Sequence, residues 1–341
     1  MKKNFMFLCM LSALFLIMHS CTVSDNSVEN PDPGLSELEE SFMSIENAIF
    51  EEGDFPTATL NSTISGLSIN NKALQGGMNI ITVVTDKEYR RFFIGIKNVE
   101  GYLIYTPQSE SVATRSTNTY TIPVIYSPEL NTDVTMLISG EDENGDITEP
   151  YEAEISFVDS EIGELNINLT FSNAKDVDLH LYMPDGQHIY YGNRGGQVTT
   201  VDGETISFGL DKDSNAGCHI DNLNNENIYI PAELIQSGTY RVVVDMYKNC
   251  DYNIPTSWSI VTRYKGELIP VSVGNNPASG VYPIGAGHGD MTTAMEFTIN
   301  DNSARAKSVS RIKENSFIPT PLNDMDEMKL EEYRFYMEQN K

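Results

Sequence analysis

The chain has 341 residues, with 22 Lys and Arg against 49 Asp and Glu, a formal net charge of −27. Such a balance excludes nucleic acid as a partner and excludes adhesion to anionic lipid through the protein surface. The length passes the ~250–300 residues at which single cores give way to two domains.

Residues 1–20 read as a signal segment to be set aside from the fold. Lys2 and Lys3 precede an apolar run from Phe5 to Met18, shorter than the ~20 residues of a spanning helix. Ser20-Cys21 after Leu16-Ile17-Met18 resembles a bacterial lipobox, in which His19 is unusual. That resemblance implies cleavage before Cys21 and lipidation of its thiol; an ordinary signal peptide cut nearby is the alternative. Acyl chains on Cys21 would anchor the protein to a membrane without a spanning helix. The expected location is the bacterial cell envelope, at the outer membrane or cell surface, with the periplasm as the alternative. Without Lys2 and Lys3, 20 basic residues face 49 acidic ones in Cys21–Lys341.

Residues 21–40 are polar, acidic and proline-bearing at first, as a flexible tether would be. Ser36 and Glu39 then have capping-box spacing for a short helix. From 41 to 159 the pattern becomes β, with short runs such as NIITVVT (79–85), RFFIGIK (91–97), YTIPVIY (120–126) and YEAEISFV (151–158). Together with TLNSTISGLSI before them, about seven such strands predict an Ig-like sandwich. GEDENGD reads as a solvated hairpin turn, with a loose calcium loop as the sharper alternative.

A second β region spans 160–300. LNINLTF (165–171) and VDLHLYM (177–183) alternate strictly, and GTYRVVVDMY, TSWSIVTRY and AMEFTIN follow. Trp258, the single tryptophan, reads as core packing. The Gly-, Asp- and Asn-rich stretch Asn193–Asn227 reads as a long loop. Residues 301–341 read as a polar linker and a C-terminal helix capped by Asn323, with Met325, Met328, Leu330, Tyr333 and Met337 as an apolar stripe for docking onto a sandwich, against binding a partner as the alternative. Cys218 and Cys250 remain once Cys9 and Cys21 are assigned, and an even pair in an exported protein predicts a disulfide, against two buried thiols.

The strand period of two puts Asp176, Asp178 and His180 on one face, with Val177, Leu179, Leu181 and Met183 inward. The carboxylates could share a cation if another segment adds oxygens; Asp211, Asp213, Asp221, Asn222, Asn224 and Glu226 are the candidates, and calcium takes six to eight such oxygens. A wet strand face is the alternative, so the choice lies between calcium and water. Enzyme motifs are missing: there is no Gly-x-Ser-x-Gly elbow and no His-Glu-x-x-His, and the spacing of His180, His188 and His219 fits no zinc pattern.

DVDLHLYMPDGQHIYYGN, GLDKDSNAGCHIDNLNNENIYIP and SGTYRVVVDMYKNC, in that order between Gly163 and Thr298, resemble the uncharacterised bacterial YfaP-like domain. That family resembles pre-peptidase C-terminal β-sandwiches. The resemblance covers under half of the mature chain. It implies a jelly-roll-like sandwich, calcium at the acidic positions and no known catalysis; the cysteine pair and the Asn-rich segment depart from the pattern. The expectation is therefore an all-β protein of two β-sandwich domains in series, lipid-anchored and non-catalytic, with a binding or scaffolding role at the envelope. A glycan or an envelope protein is the expected partner. The rivals are a polysaccharide-binding accessory or glycan hydrolase, and a purely structural envelope protein.

Overall fold

A computed structural model of the chain describes residues 36–107, 117–251, 253–300 and 312–339. The signal segment, Cys21, the tether up to Leu35 and residues 301–311 lie outside the described residues. Among the described residues no helix is long and apolar enough to cross a membrane.

Among the described residues the protein is all-β apart from two helices and two 3-10 turns. α1 (Glu37–Ser41) starts on a capping box: Ser36 Oγ accepts from the Glu39 N–H, and Glu39 Oε2 accepts from the Ser36 N–H. The first sandwich uses β1 (Met43–Ser44), β2 (Ile49–Glu51), β3 (Leu67–Ser68), β4 (Lys72–Leu74), β5 (Met78–Thr85), β6 (Tyr89–Ile96), β7 (Tyr102–Tyr105), β8 (Asn118–Tyr126), β9 (Val134–Asp142) and β10 (Tyr151–Val158). One sheet runs β1-β8-β5-β3 and the other β2-β7-β6-β9-β10-β4, with only β4 and β10 parallel. Alternation along the strands sends Ile81, Val83, Ile122 and Val124 from one sheet against Phe92, Ile94, Met136 and Ile155 from the other. The strand expected over residues 59–69 shrinks to Leu67–Ser68. In the acidic turn after β9, Asp142 Oδ1 accepts from the N–H groups of Asn144 and Asp146, so this carboxylate shapes the hairpin.

The second sandwich uses β11 (Leu165–Phe171), β12 (Asp176–Tyr182), β13 (His188–Ile189), β14 (Gly195–Thr199), β15 (Thr205–Lys212), β16 (Asn225–Ile230), β17 (Gly238–Lys248), β18 (Thr256–Tyr264), β19 (Glu267–Leu268), β20 (Val273–Gly274), β21 (Ala278–Tyr282), β22 (Asp290–Ile299) and β23 (Ile318–Pro319). Its sheets run β19-β18-β11-β16-β15-β14-β23, with β21 also on β18, and β13-β12-β17-β22-β20. Leu165, Ile167 and Leu169 of the larger sheet meet Val177, Leu179, Val242 and Val244 of the smaller in one core. Trp258 is buried in that core beneath Gly280. Tyr240, fully buried near the start of β17, donates its hydroxyl to the Gln236 carbonyl and accepts from the Gln236 N–H at 2.9 and 2.8 Å. This is a tyrosine corner, recurrent in Greek-key β-sandwiches.

Asn193–Asn227 is not one long loop. It holds β14, β15 and the start of β16, joined by the 200–204 turn and the longer irregular stretch 213–224. The asparagines there answer a backbone demand: Asn215, Asn222 and Asn224 all sit at φ between 51° and 59°, a region Asn tolerates better than most side chains. The same loop touches the first sandwich, since Leu223 O accepts from Asn70 Nδ2 and Asp221 O accepts from Lys72 Nζ. Met78, Ile125 and Val261 form a small apolar cluster at the junction, so the two sandwiches share buried surface.

α2 (Asp324–Gln339) folds back onto the second sandwich. Asn323 caps it, its Oδ1 accepting from the Asp326 N–H and its own N–H reaching Asp326 Oδ2. Among the described side chains of the apolar stripe, Leu330 packs against the core and Met328 is exposed, while Asp326 and Lys329 are buried. The side chains of Met325, Tyr333 and Met337 lie outside the described residues.

Candidate functional site

Asp176, Asp178 and His180 line one face of β12, but that face is dry: they are 0%, 1% and 2% exposed. The wet-strand alternative fails because α2 and the 213–224 loop close over it. Lys329 of α2 enters the face at full burial. Its Nζ lies 2.6 Å from Asp178 Oδ1, 3.0 Å from Asp176 Oδ1 and 3.5 Å from Asp213 Oδ1. The rings of Tyr191 and Tyr247 flank the ammonium, 4.6 and 4.8 Å from their centroids. Tyr247 also donates its hydroxyl to the Lys329 carbonyl. One helical turn earlier, Asp326 pairs with Arg194 at 3.0 Å.

Other segments bring further carboxylates. Asp245 on β17 stands directly opposite Asp178 in the β12–β17 register. Glu226 reaches across from β16, where its Oε2 accepts from the Leu179 N–H at 2.7 Å. Asp176 Oδ2 accepts from the Gly217 N–H at 2.8 Å. The Cys218–Cys250 disulfide, with Cα atoms 5.4 Å apart, ties the turn carrying Gly217 to the end of β17 and so fixes that donor. Asp211 is not brought in. Its oxygens accept from the Glu161 N–H and from Asn227 Nδ2, part of an Asn168–Asn227–Asp211 chain between β11, β16 and β15.

The electrostatics follow from too many carboxylates for one ammonium. Burial, with Asp213 and Asp178 nearby, pushes Glu226 well above the usual carboxylate range. Burial does the same to Asp178 despite Lys329, with Asp176, Asp213 and Asp245 adding to it. Burial raises Asp176 and Asp245 to about 6 each. Burial opposes the charge on Lys329, but Asp178, Asp213, Asp176 and Glu226 outweigh it and hold the ammonium protonated well above its ordinary range. His180 is pushed down to about 3, first by burial and then by His188 and Lys329, and is neutral. Its Nδ1 lies 2.9 Å from His188 Nε2, and His188 stacks between Tyr182 and Tyr190.

Of the residues expected to ligate a cation, the structure brings Asp176, Asp178, Asp213 and Glu226 together and leaves Asp211 apart. Sequence reasoning missed Lys329, Asp245 and the two tyrosines. Asp245 had a signal, a lone carboxylate within the apolar run VVVDMY; Lys329 had none, since lysine is ordinary on an exposed helix face. The ligand atoms of Asp176, Asp178 and Asp213 converge to within 4.8 Å of one another, and so do those of Asp178, His180 and Asp245.

No protein-family model matches the chain, and no curated protein does. Among solved structures it is similar to the fibronectin(III)-like modules of Clostridium thermocellum CbhA. The identity is 9%, the TM-score is 0.17, and the match covers 63% of this chain and 93% of that one.

Proposed function

We propose that the protein is a lipid-anchored envelope protein whose two sandwiches act as a non-catalytic binding or scaffolding module. The observation that supports this is the state of its most concentrated chemistry. Asp176, Asp178, His180, Glu226 and Asp245 are all at most 2% exposed, and an internal ammonium occupies their midst. Groups so enclosed meet no substrate, and they fasten α2 and the disulfide-bonded turn to the sheet. In this reading the acidic cluster is a cation site whose resident cation is Lys329. Calcium would enter at Asp176, Asp178 and Asp213 only by displacing α2. The YfaP-like resemblance, with a glycan or envelope protein as partner, belongs to the same proposal.

Fractionation of cells expressing the full chain tests the anchor. The protein should sediment with membranes, and Cys21→Ser should release it; a soluble wild type overturns the lipid anchor. A glycan array followed by incubation with labelled polysaccharide tests the rest, and turnover that survives loss of the array signal in control proteins would replace scaffolding with hydrolysis.

A further inference from the structure

Lys329 satisfies only one side of the acidic cluster. It meets Asp178 at Oδ1, and Asp178 Oδ2 is buried with no hydrogen-bond partner. Asp245 Oδ1 and His180 Nε2 are buried and unpartnered as well. These three residues are one of the two sets whose ligand atoms converge to within 4.8 Å of one another, the other being Asp176, Asp178 and Asp213 around Lys329. Buried polar atoms are nearly always satisfied, and each orphan asks for an explanation. Asp178 and Asp245 also face each other across adjacent strands, an arrangement of like charges that destabilises a sheet unless something lies between them.

We propose that Asp178, His180 and Asp245 form a second cation site, separate from the Lys329 position, that takes a divalent transition ion of the zinc or manganese kind. The donor set chooses the class. Two carboxylates and an imidazole supply three ligands and two negative charges, which suits zinc-like ions and leaves coordination open to a further donor. Calcium wants six to eight oxygens and has no use for the nitrogen. The surroundings suit a ligand role for His180. Its other nitrogen is held 2.9 Å from His188 Nε2, the outer partner that fixes a ligating imidazole's orientation. Asp178 bridges the two positions, one oxygen to the ammonium and the other to the metal. With the site closed on all sides, the ion is taken up during folding, before α2 seals the face.

The test is to unfold the mature chain in urea with its disulfide intact and refold it with zinc chloride, manganese chloride or calcium chloride alone. Metal is then counted by elemental analysis after gel filtration. One equivalent of zinc or manganese is expected. Asp245→Asn and His180→Gln should each lose it, with folding checked by Trp258 fluorescence, and His188→Ala should weaken it by about 10–100-fold. Lys329→Met should keep it, which separates this site from the Lys329 position. Calcium alone retained, no metal retained, or retention unchanged in folded Asp245→Asn overturns the proposal; in the second case the orphaned carboxylates are neutralised by protons instead.

Discussion

Lys329→Met is the most informative single change, because methionine keeps the unbranched stem and removes only the charge. The three contacts at 2.6, 3.0 and 3.5 Å have gross Coulomb energies of about 6, 5.5 and 5 kcal/mol at an effective dielectric of about 20. Most of that is offset by desolvation of the ammonium and by repulsion among the carboxylates it draws together. The freed carboxylates can also take up protons, which limits the damage. Breaking such a buried pair from one side destabilises by about 3–5 kcal/mol, or about 8–16 °C for a domain of this size. Trp258, the only tryptophan, is buried in the second sandwich, so fluorescence during urea unfolding reports on that sandwich. The measurement belongs in chelator, so that no metal compensates. Adding Asp178→Asn should recover part of the loss, because one fewer buried charge then lacks a partner. A loss under ~1 kcal/mol, or a double variant weaker than the sum of the singles, refutes the assignment of Lys329 as the cluster's cation.

Replacing Cys218 and Cys250 by serine opens a link across 32 residues and should lower stability by about 3–4 kcal/mol in the chain-entropy model, read from the same urea curves. Tyr240→Phe strands both backbone groups of Gln236 and should destabilise by about 2 kcal/mol. Burial raises the Tyr240 hydroxyl to about 12, so the folded state holds this proton more firmly than the unfolded one. Its contribution is complete below about pH 10 and is lost as pH rises through 12, and alkaline unfolding of Tyr240→Phe should have a shallower pH dependence. Gly280→Ala would place a Cβ 2.4 Å from Trp258 Cζ2, and overpacking of this kind costs about 1–3 kcal/mol. An unchanged Trp258 emission and midpoint would show that β21 yields freely.

The architecture was legible because it rests on period-two alternation, which LNINLTF and VDLHLYM display with few ambiguities. The same alternation placed Asp176, Asp178 and His180 on a common face. It could not say whether water covered that face, because the cover comes from a helix some 150 residues away whose burying residues are charged. Asn-rich composition suggested a long loop for a related reason: asparagine marks left-handed backbone, and here Asn215, Asn222 and Asn224 mark only the 213–224 connection while β14 and β15 fill most of the rest. Asp211 and Asp213 are adjacent in one run but diverge, since β15 ends between them and only Asp213 passes into the loop beneath α2. Spacing within one segment was readable, whereas convergence between segments was not.

The placement of Lys329 also sets an order of assembly. Asp176, Asp178, Asp213, Glu226 and Asp245 all precede it in the chain, so they are synthesised while their counter-charge is still absent. Until residue 329 follows, closing the smaller sheet means burying carboxylates with no ammonium, which is strongly disfavoured. Chains broken off before α2 are left with an open, acidic second sandwich whose carboxylates lack the Lys329 ammonium.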